Sequence, residues 1–134
     1  MGKDAWITLK NTKHSELDLL ELMQLLETYR SRLQKTGKQL DWDYAAAAFP
    51  YTIQHIGKEG EGGEKYLKLT STQPKLYTGL LFAMEQKNDS PAIRLTLPPN
   101  ATHGDRSKGN EFAKFLSKEL RAPIIQFNGR VIPA

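Results

Sequence analysis

No cysteine occurs among the 134 residues of this chain. That absence excludes disulfide staples, thiol nucleophiles and cysteine-ligated metals together, and makes a reducing, cytoplasmic setting the expected one. Long apolar runs are missing too. No stretch approaches the roughly 20 residues a helix needs to cross a bilayer, so no membrane contact is expected. The opening MGKDAWITL carries an acid at Asp4 and too short an apolar segment for a secretory signal. Asn100-Ala101-Thr102 matches a glycosylation sequon in form only, because no secretion signal accompanies it.

Charge of one sign is also in short supply, with a net charge of only +4. Its placement is uneven. Residues 1–44 hold seven basic and seven acidic side chains, and residues 45–105 hold six of each. The whole excess lies beyond, where Arg106, Lys108, Lys114, Lys118, Arg121 and Arg130 stand against Glu111 and Glu119. A charged partner is therefore expected to meet this end of the chain, as an anionic ligand, a nucleic acid or an acidic protein.

What is present suits one domain, residues 1–134, with 39% apolar and 25% charged residues. Ala5–Leu9 alternates as a strand, with Ala5, Ile7 and Leu9 on one face. A helix follows, its start marked by Ser15 and Asp18 as a capping-box-like pair. Leu19, Leu22, Met23, Leu26, Tyr29 and Leu33 form its apolar stripe, and Gly37 is expected to end it. This stripe is too short to demand a coiled coil and reads as core. Asp43 is placed to cap a short turn through Phe49, which Pro50 closes.

Four strands are expected next, at Tyr51–Ile56, Tyr66–Thr70, Leu76–Gln86 and Ala92–Leu97. The GKEGEGGEK connector at 57–65, with four glycines and five charges, is expected to form a mobile hairpin loop. Residues 87–91 form another turn. A second helix is expected over Asn110–Leu120, with Phe112, Phe115, Leu116 and Leu120 inward. Asn128-Gly129 marks a two-residue hairpin. Short connections between consecutive strands imply antiparallel pairing. The expected architecture is an α+β two-layer sandwich in the order β-α-β-β-β-β-α plus a C-terminal hairpin, with about five strands and both helices on one face.

Gly104 and Gly109 frame four residues between a strand and a helix, the first half of a phosphate-binding loop. The pattern then requires Lys and Ser or Thr, where this chain has Asn110 and Glu111. The lysine would offset charge at the far phosphates and the hydroxyl would hold magnesium, so nucleotide hydrolysis by that route is not expected. Two readings of the stretch remain. Helix amides beside His103, Arg106, Ser107 and Lys108 hold a single anion, or the stretch is a loop with Gly104 left-handed and Asp105, Ser107 or Asn110 as cap.

Lys114, Lys118 and Arg121 recur at helical spacing opposite the phenylalanines, as a surface for an anionic partner or as a solvated face. No exposed aromatic set lies between them for base stacking. His103 and Asp105 form an H-x-D pair able in principle to hold a metal or move a proton. A metal site would need Asp41, Asp43 or His55 to complete it. His14 reads as an exposed neighbour of the first helix cap. Trp6, Trp42, Tyr44 and Tyr51 either line a pocket or pack into the core and its edges. No cofactor is expected, the protein reads as a binding domain rather than an enzyme, and the chain is expected as a monomer or a homodimer.

The runs DWDYAAAAFPY (41–51), LPPNATHGDRSKGNEFAKFLSKEL (97–120) and FNGRV (127–131) resemble a family of small proteins of unknown function from Bacillus-type bacteria. The resemblance implies a cytosolic bacterial α+β domain and carries no activity or site residues with it. The expected strand order is also similar to the helix-grip arrangement, which speaks to fold alone.

Overall fold

A computed structural model of the chain describes residues 3–10, 16–40, 49–57 and 65–134, with side chains of the first helix described through residue 35. The elements are β1 (Lys3–Thr8), α1 (Leu19–Leu40), β2 (Tyr51–Ile56), β3 (Tyr66–Ser71), β4 (Gly79–Lys87), β5 (Ser90–Leu97), α2 (His103–Leu120), β6 (Ile124–Ile125) and β7 (Val131–Ile132). They form one antiparallel sheet in the order β2-β3-β4-β5-β1-β6-β7. Seven strands exceed the expected five because the C-terminal hairpin joins the sheet beside β1. The α+β class and the antiparallel pairing are as the sequence implies.

The local chemistry explains the elements. Asp18 and Glu21 reciprocally cap α1: the Glu21 amide donates to Asp18 Oδ1 at 2.8 Å and the Asp18 amide to Glu21 Oε1 at 3.3 Å. The capping box thus lies one turn later than the Ser15–Asp18 pairing expected, and Ser15 and His14 fall outside the described residues. Gly37 does not end the helix, which runs on to Leu40. Asn88 and Asp89 both have left-handed backbones, with φ of 53° and 62°, and join β4 to β5 as a two-residue hairpin. The C-terminal hairpin needs one residue more than expected. The Gly129 amide closes a turn onto the Gln126 carbonyl, Gly129 takes φ 85°, and the Gln126 amide donates to the Arg130 carbonyl. Residues 76–78 do not start β4; the Leu76 and Tyr77 amides turn back onto the Gln73 carbonyl. The Asp43 turn and most of the 57–65 connector lie outside the described residues.

Alternation divides the sheet into two faces. Ala5, Ile7, Leu67, Leu69, Leu80, Phe82, Ile93, Leu95 and Leu97 point to one side and are buried there with Leu22 and Leu26 of α1 and Phe112, Leu116 and Leu120 of α2. Phe112 is the hub, its ring 5.3–6.1 Å from those of Phe49, Tyr29, Tyr51 and Phe82. Since β5 and β6 both pair antiparallel to β1, the α2 connection crosses over β1 and packs on β1 and β5. Both helices lie on this side. The other face carries Trp6, Leu81, Arg94 and Thr96, which are half-buried. Trp6 and Tyr51 therefore sit on opposite faces and do not share a pocket; Trp42 and Tyr44 lie outside the described residues.

Candidate functional site

The GDRSKG stretch is helix, not loop. α2 begins at His103, seven residues ahead of the expected Asn110, with Thr102 as its N-cap. Thr102 Oγ1 accepts from the Asp105 amide at 3.1 Å while Asp105 Oδ2 accepts from the Thr102 amide at 2.9 Å, a reciprocal capping box. Neither glycine is left-handed. Both serve close packing. A Cβ on Gly104 would lie 2.7 Å from the Tyr77 ring and 2.8 Å from the Leu76 carbonyl oxygen, and one on Gly109 would lie 3.0 Å from Phe127.

Asp105 is fully buried, and its carboxylate ties three segments to the helix start. It accepts from the Tyr51 hydroxyl at 2.6 Å, from the Thr78 amide at 2.9 and 3.1 Å, and from the Thr102 amide. Thr102 Oγ1 in turn donates to the Leu76 carbonyl at 2.7 Å. Burial, the hydrogen bond to Asp105 and repulsion by its charge push the Tyr51 phenol far above the ordinary tyrosine range. The carboxylate thus occupies the position where the helix dipole and free amides would favour an anion. A phosphate or sulfate on those amides would meet a carboxylate already there, which leaves side chains to meet any anionic partner.

The same burial separates the H-x-D pair. His103 is exposed, while Asp105 points to the opposite side of the helix into the core. No group of three His, Cys, Asp or Glu able to hold a metal occurs among the described residues. His55 sits on β2, and Asp41 and Asp43 lie outside the described residues. The arrangement gives the alternative metal-dependent or enzymatic reading with His103 and Asp105 no support over a binding role.

The remaining site residues come together on one helix face. At about 100° per residue, His103, Arg106, Ser107, Lys114, Lys118 and Arg121 fall within one solvent-facing stripe about 27 Å long. His103, Ser107, Lys114, Lys118 and Arg121 are exposed and Arg106 is half-buried. Arg106, Lys114, Lys118 and Arg121 make no ion pair among the described residues. Lys108 departs from the group: its side chain is only 15% exposed, and its ammonium pairs with Glu111 at 3.1 Å. That pairing neutralises the one acid bordering the stripe, while Glu119 is engaged by Arg32 at 2.8 Å.

At the N-terminal end of the stripe, Lys3, Leu97, Pro98, Ala101, His103 and Arg106 line a cleft of about 360 Å³ with no carboxylate among the described residues of its wall. Lys3, which brings a second cation there, was not among the residues the sequence pointed to. It lies about 100 positions away in the chain and reaches the cleft only because β1 pairs with β5, Lys3 opposite Leu97. Arg121, at the other end, takes a left-handed backbone with φ 51° and ends the helix by donating its amide to the Ser117 carbonyl.

These features define a two-layer α+β fold with one fully antiparallel sheet and two helices on one of its faces. The chain belongs to the family described as "Domain of unknown function (DUF1885)", which matches residues 3–133. It is similar to a protein of unknown function from Bacillus stearothermophilus, known from a crystal structure. The two share 38% identity with a TM-score of 0.60, over 93% of this chain and 94% of that one. The resemblance to a Bacillus-type family read from the sequence agrees with both findings. No curated protein matches the chain. No helix among the described residues is long and apolar enough to cross a membrane.

Proposed function

We propose that this is a non-enzymatic binding domain whose partner is anionic and contacts the outer face of α2. One observation carries the reading: Arg106, Lys114, Lys118 and Arg121 share one exposed face with no ion pair among the described residues. Unpaired cations along a rigid helix attract a complementary surface at range and hold it in register. An acidic protein surface fits better than a nucleic acid, because the aromatic rings of α2, Phe112 and Phe115, turn inward against Tyr29 and leave no platform for bases. We place the interaction in the cytosol of a bacterium, the setting that a cysteine-free domain suits.

The test is retention on columns of polyglutamate, heparin and single-stranded DNA. Wild-type protein is expected to be retained on polyglutamate and to elute as salt is raised. Each neutralisation at Arg106, Lys114, Lys118 or Arg121 to Gln should lower the slope of log retention against log salt by about one. Lys114, Lys118 and Arg121 are exposed, so their neutralisation should leave the melting curve unmoved. Unchanged retention in the fourfold variant overturns the reading, and preferential retention on DNA replaces the acidic protein with a nucleic acid.

A further inference from the structure

The sheet face away from the helices carries a second recess, independent of α2. Lys65, Tyr66, Leu81, Ala83, Glu85 and Arg94 line a groove of about 330 Å³, within the range of small-ligand sites. Its floor follows from the register. Ile56 pairs with Tyr66, Ala83 with Arg94, Arg94 with Trp6, and Trp6 with Ile125. Continuing the Leu67–Phe82 pairing by one residue sets Tyr66 beside Ala83. A row of buried and half-buried, mostly apolar side chains thus crosses the sheet, with a single arginine in its middle.

That arginine is incompletely used. Arg94 Nη1 pairs with Glu85 Oε1 at 2.8 Å, while its Nε is buried with no hydrogen-bond partner among the described residues. A buried donor without an acceptor is costly, and a guanidinium offers Nε with one Nη as a fork that matches a carboxylate. For that edge to meet an incoming acid, the guanidinium turns toward the groove that Arg94 lines. The surrounding charge agrees. Among the described residues, Lys65 and Arg94 oppose Glu85 in the wall, and Lys68 and Lys87 lie on the same face with Asp4 as the one further carboxylate, whose Oδ1 is held by the Thr96 hydroxyl at 2.7 Å. Tyr66, Leu81 and Ala83 offer apolar contact for a short body.

We propose that this groove binds a small organic monocarboxylate, its acid on the Nε edge of Arg94 and its apolar body between Tyr66 and Leu81. Glu85 then acts as the internal competitor that holds Arg94 when the groove is empty. The ligand class is distinct from the macromolecular partner proposed for α2, and the two readings stand or fall separately.

The experiment is an NMR titration of the full chain with phenylacetate and hexanoate, and with their neutral amides as controls. Saturable shifts are expected at the amides of Tyr66, Leu81–Glu85 and Arg94 and at the Arg94 Nε–H, with dissociation constants of about 1 mM for probes this small. The amides should bind at least about tenfold more weakly. Arg94→Gln should lose about tenfold, whereas Glu85→Gln should bind more tightly, a gain that no unfolding defect produces. Arg106→Gln should leave the shifts unchanged. The proposal is overturned by an absence of saturable shifts in this groove, by equal binding of acids and amides, or by a weaker Glu85→Gln variant. Concentration-dependent shifts over the same face without ligand, with a dimer in light scattering, would also overturn it and assign the face to a second copy.

Discussion

Asp105 shows how far a single residue can be misread from its neighbours in sequence. Beside His103 it suggests a metal or proton-transfer pair; in the fold it is a buried hub that fastens Tyr51, Thr78 and Thr102 to the start of α2. Asp105→Asn would turn an amide NH₂ toward donors and leave one of them unpartnered, so a loss of about 3 kcal/mol is expected in denaturant melts. Activity-like effects without such a loss would contradict the structural role. Tyr51 supplies a pH test. Its phenol is raised above the ordinary 10.0 by burial first and by Asp105 second. The unfolded chain therefore sheds this proton before the folded one does. The contribution is fully present below pH 10 and is lost as pH rises beyond it. Ultraviolet titration should show one of the five tyrosines withheld until the protein unfolds, and Tyr51→Phe should flatten the alkaline fall in melting temperature.

At the scale of elements, the sequence exposed periodicity well and boundaries less well. The strand Tyr51–Ile56 and the body of α1 were legible because alternation and a 3.6-residue stripe are direct records of which side is buried. The first two turns of α2 were not, because two glycines in six residues depress helix propensity and look like a loop. The T-x-x-D cap at Thr102 and Asp105 was the available signal. What overrides propensity is tertiary: the helix starts so close to residues 76 and 77 that only glycine fits. Gly104→Ala should therefore destabilise by about 1–3 kcal/mol despite alanine's better helix propensity, as overpacking does. An increase in melting temperature would show that the contact is not tight. Similarly, Asn128-Gly129 announced a hairpin but not its length, since a glycine can fill either a two-residue turn or the left-handed site of a three-residue one.

For the whole molecule, topology decides what chain position cannot. β1 is near the N-terminus yet lies between β5 and β6, flanked on both edges and buried by α2. Termini usually tolerate trimming; here, deleting residues 3–8 should abolish the cooperative thermal transition, because β6 and β7 lose their attachment to the sheet. A truncated chain that still melts cooperatively would show that β1 is dispensable. The same placement brings Lys3 to the cleft at the end of α2 and Trp6 beside Arg94.

By itself the sequence determined the α+β class and the antiparallel pairing, because each follows from local spacing: short turns and alternation. The tertiary structure alone decided that Asp105 points inward, that glycines 104 and 109 are helical, that Lys108 leaves the stripe, and that Arg94 sits in a groove with an idle donor. Those outcomes depend on which residues distant in the chain become neighbours, and local pattern holds no record of them. The stretch with the unbalanced charge is thus the surface of a capped helix rather than a phosphate loop, since its own buried carboxylate already occupies the place an anion would take.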